Sequence, residues 1–249
     1  MTATIAVLGL GEAGGALARD LVGAGAVVRG YDPAVPAPDG VVDTGSEAEA
    51  ADGADVVLSV NSASAAVDAL NAGLDTARVW ADLNTASPGT KRRLDEIATA
   101  RGVPFADVAI MAPVPGKGLR VPMIATGAAA DRVAGILNPL GAAVEVMAGP
   151  AGLAAERKLL RSVFFKGMAA AVVEALTAAR AAGCEQWLRE IIEGELTRAD
   201  TATVERLVSG SYRHAVRRTS EMAAAAEMLD ELGVPADVAA AARDHLSRL

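Results

Sequence analysis

At 249 residues, with 52% hydrophobic and 22% charged side chains, the chain has material for one large or two modest globular domains and is not disordered or fibrous in composition. A formal net charge of −8 argues against nucleic acid or an anionic membrane as partner, because both attract basic proteins, and 3% aromatic residues leave no stacking platform for single strands. The lone cysteine, Cys184, excludes an intrachain disulfide and a cysteine-rich metal site, and His214 and His245 lack metal-ligand spacing, so no metal is expected.

The N-terminus is apolar but has no basic leader and meets Glu12 and Arg19 early, so it reads as a first strand and helix and not as a signal peptide. No stretch approaches the roughly 20 uncharged apolar residues of a membrane span, and the expected location is the cytoplasm. In chain order, Thr4 to Leu8 is a short apolar run ending in glycine, which suits a buried parallel strand. Ala13, Leu17 and Leu21, four apart, place a helix after it. Ala26 to Tyr31 is a second strand that stops at Asp32-Pro33, and Pro33 to Gly40 is turn-rich. Asp55 to Val60 and Arg78 to Leu83 are further strands, followed by helices over Ala63 to Asn71 and Pro88 to Ala100. The latter is opened by Ser87 as N-cap and by Pro88 at the first helical position. Strands near Phe105 to Ile110, Met123 to Thr126 and Ala143 to Val146 complete this half, with a helix near Ala129 to Leu137.

Strand–helix alternation predicts right-handed βαβ units and a doubly wound parallel sheet of Rossmann type, an α/β fold, over residues 1–150. From 151 to 249 the pattern is helical only. Leu153 to Ala182 reads as one long helix leaving the first domain, with shorter helices after it, including about Ser211 to Leu232 and Pro235 to Leu249. This second domain is expected to serve substrate binding and dimerisation, because its long apolar helix carries more hydrophobic surface than a domain of this size covers.

Gly9-Leu10-Gly11-Glu12-Ala13-Gly14 follows a strand and opens a helix, the context a dinucleotide loop requires. Gly9 permits the turn, Gly11 lets the backbone approach a pyrophosphate, and Gly14 lets helix and strand pack closely, while the free N–H groups at the helix start favour the anion. Asp32 ends the next strand, where a carboxylate accepts hydrogen bonds from the adenosine ribose and repels a 2′-phosphate, so NAD is expected over NADP. Arg29 is the one nearby counter-signal, but it lies within the strand. The turn Val60-Asn61-Ser62 is expected to line the cofactor.

Four segments in order resemble the β-hydroxyacid dehydrogenase family, whose relatives include 3-hydroxyisobutyrate and 6-phosphogluconate dehydrogenases. They are the glycine loop with its helix, Asp82-Leu83-Asn84-Thr85-Ala86-Ser87-Pro88, Ala112-Pro113-Val114-Pro115-Gly116-Lys117, and Lys158-Leu159-Leu160-Arg161-Ser162. The chain looks closest to a poorly characterised subgroup with a short helical domain, which also carries the segment standing here as His214 to Met222. The resemblance implies a nicotinamide-dependent oxidoreductase, with Lys158 moving a proton at the substrate hydroxyl or carbonyl. It implies substrate contacts at Asn84, Thr85, Pro115, Gly116, Lys117, Arg161 and Ser162, and pairing of two copies through the helical domain. Three family positions differ: Asn84 and Pro115 stand for serines, and Ser162 stands for the asparagine beside the lysine.

An ammonium can protonate a forming alkoxide, and a lysine desolvated in a cleft can act as base, so Lys158 is chemically suited to that role. His214, Arg217, Arg218 and Glu221, spaced i, i+3, i+4 and i+7, are expected on one helix face, either as a cationic subsite led by His214 and Arg217 or as a salt-bridged surface stripe. Lys91-Arg92-Arg93 reads as a solvated helix face, and Trp80 and Trp187 as core or interface anchors. The substrate is expected to be a small, anionic β-hydroxy acid or its keto form. An imine reductase on the same fold and a non-catalytic NAD-binding sensor are the alternatives.

Overall fold

A computed structural model describes residues 2–249. Two compact units, Met1–Arg161 and Ser162–Leu249, divide the chain. Unit 1 is an eight-stranded sheet of β1 (Thr4–Leu8), β2 (Val27–Tyr31), β3 (Val42–Asp43), β4 (Val56–Ser59), β5 (Trp80–Asp82), β6 (Phe105–Ile110), β7 (Pro122–Thr126) and β8 (Ala143–Val146), in the spatial order β3-β2-β1-β4-β5-β6-β7-β8. Its helices are α1 (Glu12–Gly23), α2 (Glu47–Ala51), α3 (Ala66–Gly73), α4 (Pro88–Ala100) and α5 (Ala130–Leu137). Helix α6 (Leu153–Ala181) begins in this unit.

Alternation of side chains along each strand divides the core between the two faces of the sheet. Ile5 and Val7 of β1 pack with α1 and α5 in one cluster, and Ala6 and Leu8 pack with α2, α3 and α4 in the other. Both faces are covered, which is why β1 and β4 read as continuous apolar runs. Trp80 is fully buried in the second cluster, while Trp187, in unit 2, is exposed.

The expected parallel sheet holds from β3 through β6, and then β7 enters antiparallel to β6, with Asp107 opposite Thr126. The cause is the connection. Residues 111–121 hold only a single 3-10 turn at Gly118–Arg120 and no crossover helix, and a parallel pairing needs one. Strand β8 then runs parallel to β7, with α5 as its crossover.

Unit 2 is helical: the remainder of α6, then α7 (Glu185–Arg198), α8 (Thr201–Arg213), α9 (Ala215–Glu231) and α10 (Asp237–Leu246). The helix expected from Ser211 to Leu232 is broken. His214 has φ −121° and ψ 25° and serves as the C-cap of α8 and the N-cap of α9. A capping box at Asp200 and Thr203 starts α8. Helix α10 is started from a distance: the Glu174 carboxylate of α6 accepts the Val238 and Ala239 N–H groups at 2.7 and 2.8 Å. Among the described residues, the buried apolar cluster of this unit consists of Ala178, Leu229 and Val234. No described helix is long and apolar enough to cross a membrane.

Candidate functional site

The strand order reverses between β1 and β4, so the loops after these two strands diverge and leave a crevice at the carboxyl edge of the sheet. The glycine loop forms one wall and Val60-Asn61-Ser62 the other. The cleft has a volume of about 350 Å³ and is lined by Gly9, Gly11, Asp32, Glu47, Val60 and Asn61, among others. A methyl group on Gly14 would stand 1.8 Å from the Gly9 carbonyl oxygen, and one on Gly9, whose φ is +92°, would stand 2.7 Å from the Asn61 backbone. The Gly11 position is open, with no atom within 4 Å of a Cβ placed there. Two glycines therefore let the chain pack on itself, and the third leaves the start of α1 clear for a ligand. Gly11 is the N-cap of α1 and makes no side-chain cap, so the first N–H groups of the helix remain available to a pyrophosphate. Leu10 is buried in the core, Glu12 is exposed in the first turn, and Ala13 packs partly against the core. These residues fit a dinucleotide.

Asp32 ends β2 as expected and also holds the loop. Its Oδ2 accepts the Leu10 N–H at 2.8 Å, and its Oδ1 accepts those of Ala34 and Val35 at 2.9 and 3.0 Å. Burial opposes the charge, but the hydrogen bonds from Ala34, Leu10 and Val35 outweigh it and hold the Asp32 pKa below its ordinary value. Arg29 donates to the Glu49 carbonyl at 2.6 Å, so its guanidinium is engaged by α2.

From the cleft a chain of polar contacts leads along the sheet edge. Asn84, buried just past β5, shares the two hydrogens of its Nδ2 among three acceptors, Asp82 Oδ2 at 2.7 Å, Asn61 Oδ1 at 2.8 Å and Ser59 Oγ at 3.1 Å. Its neighbour Thr85 is exposed and accepts a hydrogen bond from Lys158 Nζ at 2.8 Å. Lys158 is half-buried, one turn into α6. Asn61, Asn84, Thr85 and Lys158, drawn from three separated segments, thus form one continuous edge.

The ammonium of Lys91 overturns the reading of that residue as solvated. Its side chain is 1% exposed, and Nζ lies 2.5 Å from Asp82 Oδ1, 2.8 Å from the Asp82 carbonyl and 3.1 Å from Asp107 Oδ1. The last contact is ionic and lacks the direction of a hydrogen bond. Lys91 shares the inward face of α4 with Leu94 and Ala98, which are also buried, so the helical period carried the signal. Asp107 Oδ2 accepts the N–H groups of Gly152 at 3.0 Å and Ala155 at 2.9 Å, capping α6 from β6.

The remaining expected site residues lie in the loop after β6, further along α6, or in unit 2. The loop carrying Pro115, Gly116 and Lys117 is exposed and is tied to α1, where Asp20 Oδ2 accepts the Leu119 N–H at 2.7 Å. Arg161 is exposed near the start of α6, and Ser162 is half-buried and begins unit 2. His214 is exposed and lies outside the helix face expected to hold it, because it interrupts the helix. Arg217 pairs with Glu221 at 3.4 Å, and Arg218 donates to Ser211 Oγ at 2.8 Å, so both arginines have partners within unit 2. Among the described residues, no group of three or more His, Cys, Asp or Glu side chains could hold a metal.

A family model described as the NAD binding domain of 6-phosphogluconate dehydrogenase matches residues 4–149, and a domain of unknown function (DUF1932) matches residues 179–249. A probable 3-hydroxyisobutyrate dehydrogenase of Mycobacterium bovis is 32% identical over 209 residues, 77% of this chain and 69% of that protein. An uncharacterised 28.5 kDa protein of Methanothermus fervidus is 30% identical over 169 residues, 68% of this chain, and the match spans only 65% of its length. Among solved structures, an imine reductase of Streptomyces aurantiacus shares the fold with a TM-score of 0.79 at 19% identity, covering 98% of this chain and 93% of its own.

Proposed function

The chain belongs to the 6-phosphogluconate dehydrogenase-like NAD-binding family, and from that premise we propose that it is an NAD-dependent dehydrogenase of a small, anionic β-hydroxy acid or its keto form. The observation that carries this reading is the continuous edge from the cofactor cleft through Asn84 to the Lys158–Thr85 hydrogen bond. When bound, the nicotinamide takes or gives the hydride. As a neutral amine, Lys158 Nζ takes the proton from the substrate hydroxyl as the C–H bond breaks, and as an ammonium it returns the proton to the carbonyl oxygen in the reverse direction. Thr85 aims the ammonium, and Asn84, fixed at Asn61 and Asp82, holds the turn that carries Thr85 in place. The exposed charges of Lys117 and Arg120 supply attraction for an anionic substrate.

Asp32, with Glu47 and Asp68 in the same cleft, supports NAD over NADP, since carboxylates there repel a 2′-phosphate. An NADPH affinity above that for NADH in a binding titration would refute this preference. Lys158→Met is expected to lower turnover by about 10²–10⁴-fold while NADH still binds. Near-normal turnover at saturating substrate and cofactor would overturn the role of Lys158. The substrate class is found by following NADH absorbance across hydroxy acids, keto acids and imines. Turnover of imines alone would favour the imine reductase reading that the shared fold keeps open, and binding without turnover in every class would favour a sensor. We also propose a cytoplasmic homodimer, supported by the apolar side chains that unit 2 leaves in solvent, such as Val163, Phe164 and Val216 at 76%, 57% and 85% exposure.

A further inference from the structure

Two carboxylates and one ammonium lie buried together in unit 1, with Asp82 and Asp107 at 0% and Lys91 at 1% exposure. Stability alone gives little reason for such a cluster, because well-packed apolar residues commonly replace buried ion pairs without loss. What distinguishes this one is where the outer oxygens go. Asp82 uses Oδ1 on Lys91 and Oδ2 on the Asn84 amide. Asp107 turns Oδ1 toward Lys91 and gives Oδ2 to the Gly152 and Ala155 N–H groups at the start of α6. Ala155 and Lys158 are three residues apart and so share a face of that helix. Thr85, the acceptor of the Lys158 hydrogen bond, follows Asn84 directly. Both partners of that hydrogen bond are therefore referenced to one ammonium, through β5 on one side and through β6 and α6 on the other.

We propose that Lys91 is a positioning residue, which sets the distance between Lys158 and the Asn84–Thr85 turn by holding Asp82 and Asp107 together. The net charge of the cluster is −1, and the N–H groups of the first turn of α6 offset it. Without the ammonium, two uncompensated buried carboxylates repel each other, and the strand ends and helix start that they hold move apart. The catalytic consequence rests on Lys158 acting as the proton-transfer residue, but the positioning does not, and the experiment separates the two.

Lys91→Met is compared with the charge-balanced Lys91→Met/Asp82→Asn, which keeps one carboxylate and the net charge of −1 and so preserves folding if the single variant does not fold. Each is first counted by NADH binding sites, so that only folded protein is compared. The rate at which trinitrobenzenesulfonate modifies Lys158 is then read by mass spectrometry against exposed Lys166 as internal standard. The expected result is faster modification of Lys158 in both variants with Lys166 unchanged. With a turned-over substrate in hand, kcat per NADH site is expected to fall by about a hundredfold with the NADH Kd unchanged, the cost of a misplaced group. Unchanged Lys158 modification in a variant that binds NADH normally would overturn the positioning role. Unchanged kcat per site together with faster modification would overturn the catalytic role of Lys158 and leave the positioning intact.

Discussion

The two units draw on the same alanine-, valine- and leucine-rich alphabet and spend it differently. In unit 1 the sheet offers two faces to helices, and the apolar residues of β1, β4, β5 and β6 are all buried. In unit 2, α7 and α8 bury no residue at all, and Val204, Leu207 and Val208 form a stripe on α8 that is half exposed or more. A helix hides one stripe only if a second layer lies against it. The contrast teaches that unit 1 is a finished layer structure, whereas unit 2 presents surface of the kind a partner covers.

The comparison is broken or sharpened most strongly at the buried charges. Lys91→Met in unit 1 is expected to cost about 3–5 kcal/mol in denaturant unfolding, since it strands buried carboxylates. A cost below 1 kcal/mol would show that the interior of unit 1 tolerates charge as a surface does. Next comes Gly14→Ala, whose methyl would meet the Gly9 carbonyl. It is expected to abolish NADH binding and to lower stability by about 2 kcal/mol, read by fluorescence titration and thermal melting. In unit 2 the remote cap on α10 is only part-buried, so Glu174→Gln is expected to cost about 1 kcal/mol. A larger loss than that from Asp107→Asn would invert the ranking of the two units.

Smaller still is the intrinsic effect of Val204→Asp with Leu207→Asp, within about 0.5 kcal/mol for a surface change, yet the pair should convert a dimer into a monomer by light scattering. A monomeric parent protein at micromolar concentration would sink the dimer. The least effect is that of pH at Asp32. Its pKa is lowered on folding, so its contribution is complete above the ordinary carboxylate value and is lost as pH falls through the lower folded value. NADH affinity should therefore hold constant from neutral pH down to about 5, and an Asp32-dependent loss above that would contradict the loop geometry.

Most of unit 1 was legible because its signals are local. Thr4–Leu8, Phe105–Ile110 and Ala143–Val146 are strands with the expected bounds, and Ser87-Pro88 marks the start of α4. The two-residue β3 and five-residue α2 are too short to carry a period. The burial of Lys91 is written in the helical period it shares with Leu94 and Ala98, whereas its partners come from β5 and β6, and only the fold brings them to α4. The turn of β7 is written in Pro113, Pro115, Gly116 and Gly118, which disfavour a crossover helix. The break at His214 has no glycine or proline to announce it. At the site, the glycine loop and Asp32 were visible as a motif, whereas the bond between Asp32 and Leu10 and the capping of α6 by Asp107 depend on residues far apart in sequence.

The mixed sheet leaves two rims. At one end stands β3, two residues long, and at the other β8, four residues long with Glu145 pointing into water. Neither presents the long, flat, apolar ladder onto which another chain can hydrogen-bond, and a charge on a short rim discourages such addition. The sheet is thereby closed to growth by strand addition, and if two copies of this chain meet, the contact falls to helices.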